Sequence, residues 1–315
     1  MTGPTTTGSA TTTGSATTTG SATAAGPATA AGPATTTGSA ATTGSARRPE
    51  SYSSPLPTPR PHLGHALASE WTKLTSVRST VWTLSSLVVL VVGVGLLFVA
   101  QTDDPDYVRI PFTTPALFGL LVGQLSVMVL GVLTMTSEYG TGLIRTTFTA
   151  APERHRVLTA KYIVFSIAAF LTTAGSVAVV GLSAAILHNG PGAGGHSGSE
   201  WTNGLLGSLY VTLLGVLALA IGALVRHSAG AIAVMLGVVT LPPVIGAMLS
   251  AWEFGAPVGA AVLRHNAPVA LMELFGLPSG IGADVPGKAS HMVLILLVTG
   301  AAVVASYVVV GRRDV

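Results

Sequence analysis

The sequence predicts an all-α integral membrane protein with six transmembrane helices, and three observations lead there. Apolar residues make up 49% of the 315-residue chain and charged residues only 9%, with a mean hydropathy of +0.65. A soluble domain carries about 25% charge. Six apolar runs, each about 20 residues or longer, follow one another at Val81–Ala100, Pro115–Thr136, Tyr162–Leu187, Gly204–Val225, Ala229–Ser250 and His291–Val310. Each is long enough to cross a hydrocarbon core of about 30 Å as a helix, and lipid leaves a run of this length no other way to satisfy its backbone. The basic residues, finally, sort by side. With a cytoplasmic N-terminus, 12 of the 15 Lys and Arg fall on inner segments, and only Arg109, Arg264 and Lys288 fall outside. That split predicts both termini in the cytoplasm.

Residues 1–61 stand apart from the rest. Thr5 to Ala46 is seven hexads of the TTTGSA and TAAGPA type, without a charge or an aromatic. Such small side chains cannot bury enough area to offset chain entropy, so a disordered tail is expected. Arg47 to Pro61 continues it as a Pro/Ser-rich linker. Residues 62–315 are expected to form the six-span domain.

Before the first span, Leu67, Trp71, Leu74, Val77 and Val81 make an apolar stripe at helical spacing, with Glu70 and Arg78 at or within its edges. An interfacial helix is expected, with Trp71 at headgroup depth and Lys73 and Arg78 reaching for water. Between the second and third spans charge gathers: Glu138, Arg145, Glu153, Arg154, Arg156 and Lys161 fall within 26 residues. At helical spacing Glu138, Gly142, Arg145 and Thr149 share a face. Pro152 breaks the chain, and Arg154 restarts a helix into the third span. A short polar helix lying along the cytoplasmic face is expected here, suited to docking a soluble partner. The fourth and fifth runs, separated by Arg226, His227 and Ser228, predict a tight helical hairpin. Ala251 to Ser290, with Pro257, Pro268, Pro278 and Pro286, is too apolar for a free loop and too broken for a span. Short helices dipping into the outer leaflet fit it, with Asn266 as a cap and Pro268 in the first turn.

Several functions are disfavoured. The pI near 9.4 accompanies a net charge of only +3, and the basic residues are scattered between apolar runs rather than clustered on one face, so no nucleic-acid partner is expected. Cysteine is missing from the chain, which removes thiolate chemistry and Cys-based metal sites. No G-x-x-x-x-G-K-[ST] phosphate loop or H-E-x-x-H pair occurs. His62 and His65 lie in a linker and are expected to be solvent-exposed, so neither a catalytic residue nor a metal ligand is assigned.

The order Glu138-Tyr139-Gly140-Thr141, Pro152, Lys161, set between a second and a third span, resembles the membrane subunits of type-2 ATP-binding-cassette (ABC) exporters. The phrases SEWTKLTSVRSTVW and TSEYGTGLIRTT look like actinobacterial members of that family. The resemblance covers about Ala66 to Val315 and rests on the combination of motifs with six spans. It implies a coupling helix formed by residues among Glu138, Tyr139, Gly140, Thr141, Gly142, Arg145, Pro152 and Arg154. It implies a connecting helix before the first span and re-entrant helices between the fifth and sixth. It also implies a plasma-membrane permease that works as a pair, expected to be a homodimer, with two copies of a separate subunit that binds ATP and Mg. This chain would then bind no cofactor and catalyse no reaction. A membrane-embedded enzyme and a regulatory membrane protein without transport are the alternatives, and the exporter reading expects a lipophilic or drug-like molecule or a lipid as cargo, the class that an apolar pathway accepts.

Overall fold

The computed structural model of the protein describes residues 62–103, 106–107, 110–143, 154–189, 197–277 and 286–312. The hexad tail and its linker, together with Arg145 and Pro152, lie outside the described residues. Among those described there are nine helices and no strand: α1 (Leu63–Ser76), α2 (Arg78–Gln101), α3 (Thr114–Gly140), α4 (Arg154–Leu187), α5 (Gly198–Val225), α6 (Ser228–Ser250), α7 (Ala256–Arg264), α8 (Ala267–Phe275) and α9 (Lys288–Arg312). Six of them, α2 to α6 and α9, are long and apolar enough to cross a membrane, and each contains one of the six apolar runs.

The helices extend past the apolar runs where polar residues begin. At 34 residues, α4 is roughly 50 Å long, well beyond a hydrocarbon core of about 30 Å. Its surplus includes a first stretch carrying Arg154, Arg156 and Lys161.

Helix α5 is the axis. In its most apolar window 72% of the residues are buried inside the chain, against 17% for α6. It packs on α3, α4 and α9. Two glycines permit the closest approaches. A Cβ on Gly131 would strike the Gly215 carbonyl oxygen, and one on Gly119 would strike the Val91 backbone, so α3 meets both α5 and α2 with nothing but backbone between them. Phe165, at 0% exposure, fills the space beside Gly215. Helices α2, α6 and α9 keep broad apolar faces outward, including Val89, Leu241 and Leu297, as a lipid-facing surface requires.

The hairpin between α5 and α6 is as tight as expected. Arg226 ends α5 in the left-handed conformation at φ 58°, and the His227 Nδ1 accepts from the Gly230 N–H at 3.1 Å to start α6. The segment between α6 and α9 contains two short helices. Helix α7 packs back along α6. Helix α8 starts where Asn266 accepts from the Val269 N–H at 2.9 Å, with proline in its first turn, and it buries Leu271, Leu274 and Phe275.

The stripe ahead of the first span breaks. Val77 is extended at ψ 119° and separates α1 from α2, so Val81 belongs to a different helix from Trp71. Leu74 and Glu70 are the buried residues of α1, while Trp71 and Val77 are exposed. The inward face of α1 is therefore the edge that held the glutamate. Its charge has partners there, as described next.

Candidate functional site

Four charged side chains from three helices meet at the end of the bundle where α3 finishes and α4 begins. Glu70 and Lys73 stand three apart on α1, on one helical face. Glu138 lies two residues before the end of α3, and Lys161 two turns into α4. The Lys161 Nζ donates to the Glu70 Oε2 at 2.6 Å and to the Glu138 Oε1 at 2.8 Å. The Lys73 Nζ donates to the Glu70 Oε1 at 2.7 Å and to the same Glu138 Oε1 at 3.0 Å. Ammonium and carboxylate alternate around a closed ring with no net charge.

Three of the four groups are removed from water: side-chain exposure is 4% for Lys161, 5% for Glu70 and 9% for Glu138, against 37% for Lys73. Buried ions of this kind are held only where each has an opposite partner in good geometry. Lys73 shows the balance. Burial works to lower its pKa, but the hydrogen bond and charge of Glu70, joined by Glu138, outweigh it, and the pKa is raised above 10.5. An apolar patch completes the joint: Leu74 of α1 packs on Val164 and Ala168 of α4, with Leu67 and Leu84 alongside. Beside the ring a cavity of about 240 Å³ opens between α1, the start of α2, α3 and α4, walled by Leu74, Val77, Leu130 and Leu133.

The neighbouring residues tie the same end together. Tyr139 turns away from the ring, and the Arg226 guanidinium stacks over its ring at 5.0 Å, a cation–π contact that fixes the α5–α6 hairpin to the end of α3. The Thr159 Oγ1 and Tyr307 hydroxyl are hydrogen-bonded at 2.7 Å, as are the Tyr162 hydroxyl and Ser306 Oγ at 2.8 Å, which holds the C-terminal part of α9 against α4.

The expected polar face is divided by this arrangement. Glu138 is part of α3 and points into the bundle. Helix α3 ends at Gly140, and Gly142 has φ +71°, a left-handed conformation that only glycine adopts readily. Glu138 and Gly142 thus do not share a helical face. Gly140, Thr141 and Gly142 are exposed just beyond the ring, and Arg154 is half-buried at the start of α4. Of the three residues expected at the interface, Trp71 and Arg78 are exposed and Lys73 belongs to the ring.

The sequence revealed none of the ring's pairings, and Glu70 and Lys161 were not among the site residues expected from it. One signal was available. The chain has twelve arginines and three lysines, and all three lysines make specific contacts: two in the ring, and Lys288, whose Nζ donates to the Asn203 Oδ1 at 2.6 Å. Among the described residues no group of three or more His, Asp or Glu side chains is placed to hold a metal ion. No family model matches the chain, and no curated protein is similar to it.

Proposed function

We propose that the protein is the permease subunit of an ABC exporter, which forms a pathway for a lipophilic molecule or lipid and is driven by a separate ATP-binding subunit. The observation that carries this reading is the ring of Glu70, Lys73, Glu138 and Lys161. Residues 141–153 leave α3 just past Glu138 and re-enter α4 just before Lys161. Both stems of that segment, and α1 with them, are fastened by the same four charges. A push delivered to the segment is therefore passed to α1, α3 and α4 as one unit, which is what a coupling element needs. The excess of basic residues at this end supports a cytoplasmic placement, with both termini inside and the protein in the plasma membrane. The short helices α7 and α8 then lie on the outer side as the re-entrant elements. The outward faces of α2 and α6 offer room for a second copy, so the assembly would comprise two permeases and two ATPase subunits.

The docking contact is assigned to Thr141, Gly142 and Arg145 with Arg154, while Glu138 holds the stem from within. Charged docking contacts set orientation more than affinity, so partner binding can be lost without unfolding. The chain purified from its native membranes is expected to bring with it a vanadate-sensitive ATP hydrolysis, and Arg145→Glu should remove that activity while leaving the purified chain monodisperse. Absence of co-purifying hydrolysis, or its full retention in Arg145→Glu, would overturn the reading.

A further inference from the structure

A second cavity, of about 140 Å³, lies toward the opposite end of the bundle between α5, α6, α9 and the start of α8. Its wall is mostly aliphatic, with Leu214, Leu217 and Ile295 among the lining residues. An apolar cavity of about 150 Å³ accepts a benzene ring, so the space suits one ring or a short branched chain of a lipophilic molecule.

Its polar groups are unusual in being left over. His291 is 1% exposed, and its Nε2 is buried with no hydrogen-bond partner. The other side of the ring is served by the Pro286 backbone. A backbone carbonyl accepts only from an N–H, so the neutral ring that donates to Pro286 through Nδ1 presents a lone pair at Nε2. Tyr210 lines the same space and makes no side-chain hydrogen bond among the described residues.

Helix α6 adds to this. Pro242 and Pro243 stand inside it. Proline has no N–H, so the carbonyls four residues earlier lose their helix donors. Those carbonyls belong to Val238 and Val239, and both residues line the cavity together with Pro242. The site therefore sets an unpartnered imidazole nitrogen beside a stretch of helix that lacks two N–H donors, in a setting where an unmet polar group is costly.

We infer that this cavity is a binding site for a lipophilic molecule that carries a hydrogen-bond donor, a hydroxyl or an amine, with His291 as the acceptor that selects it. The inference concerns binding to this chain alone and holds whether or not the protein works with an ATPase. A pocket that is apolar apart from a few convergent polar groups is the usual form of a small-molecule site, and an unpaired acceptor discriminates strongly against a ligand that cannot donate.

The test uses the full chain in lipid nanodiscs, with empty nanodiscs as the partition control. The probes are 4-propylphenol, its methyl ether 4-propylanisole, and propylbenzene. Saturable binding of the phenol is expected, about tenfold tighter than the ether, the factor that one hydrogen bond supplies. His291→Phe should bring the phenol-to-ether ratio down to about one while propylbenzene still binds. His291→Leu is the companion variant in case His291→Phe fails to fold. It removes the same acceptor with a smaller side chain and should bring the ratio to the same value without emptying the cavity. Equal binding of phenol and ether to the wild-type chain would overturn the inference and leave water as the partner of Nε2. A phenol preference unchanged in both variants, or no saturable binding by any probe, would overturn it as well.

Discussion

The two ends of the bundle are fastened in different ways. At one end, α1, α3 and α4 are joined by four alternating charges, three of them nearly dry. At the other, the joints are pairwise and separable. Glu200 closes a capping box with Ser197 and accepts from the Phe112 N–H at 3.0 Å, Asn266 caps α8, and Lys288 reaches Asn203. A capped end loses one contact at a time. A charged ring fails as a unit, because removing any buried member leaves an opposite charge stranded. The difference teaches where force can be carried. A joint that holds three helices by shared partners moves them together, whereas pairwise contacts at helix starts can be lost one without the others.

The largest break should come from Lys161→Met. It leaves the buried carboxylates of Glu70 and Glu138 with Lys73 as their sole cation, and a loss of about 3–5 kcal/mol is expected for an uncompensated buried charge. Thermal unfolding of the detergent-purified chain reads it directly. Adding Glu70→Gln should recover part of that loss, since the stranded charge is removed with its partner. A single variant within 1 kcal/mol of wild type would mean that the ring is not closed in the membrane.

At the capped end, Asn266→Ala should cost about 1 kcal/mol, the usual value of an N-cap, and should leave the ring untouched. Proteolytic susceptibility of α1 would distinguish the two ends, rising in Lys161→Met and staying at the wild-type level in Asn266→Ala.

The smallest effect sharpens the comparison at high pH. The raised pKa of Lys73 means that its contribution is complete below 10.5, its ordinary value, and is lost as pH climbs through the higher folded value. Wild type and Lys73→Met should keep a constant difference in stability through neutral pH and converge only as pH climbs above 10.5, the ordinary value. A difference that already shrinks near neutrality would place Lys73 outside the ring.

The six spans were legible because hydropathy is a property of consecutive residues, and each apolar run sits inside one helix. The α5–α6 hairpin and the Asn266 cap were legible for the same reason, being written within a few neighbouring positions. The ring was not. Its members are contributed by three segments, with Glu70 and Lys161 91 residues apart, and nothing in the local pattern says which charges will meet. Glu70 looked like a flaw in an apolar stripe. Its position marked the inward face of α1, because a buried partner turned that edge of the helix toward the bundle. Lys161 stood only as one charge of the cluster between the second and third spans and as the end of a motif. Its being a lysine was the clue, since a compact ammonium can serve two carboxylates where a planar guanidinium asks for a flat bidentate partner.

The left-handed turn at Gly142 and the clamped stems on either side of it have a consequence for how such a protein can change over time. Closing a loop between fixed ends costs little more as the loop grows, about 0.6 kcal/mol for each doubling of its length. Residues 141–153 hang from two stems that the ring secures without their help. Exchange of this stretch of thirteen residues is therefore expected to leave the ring and the helices it joins as they are.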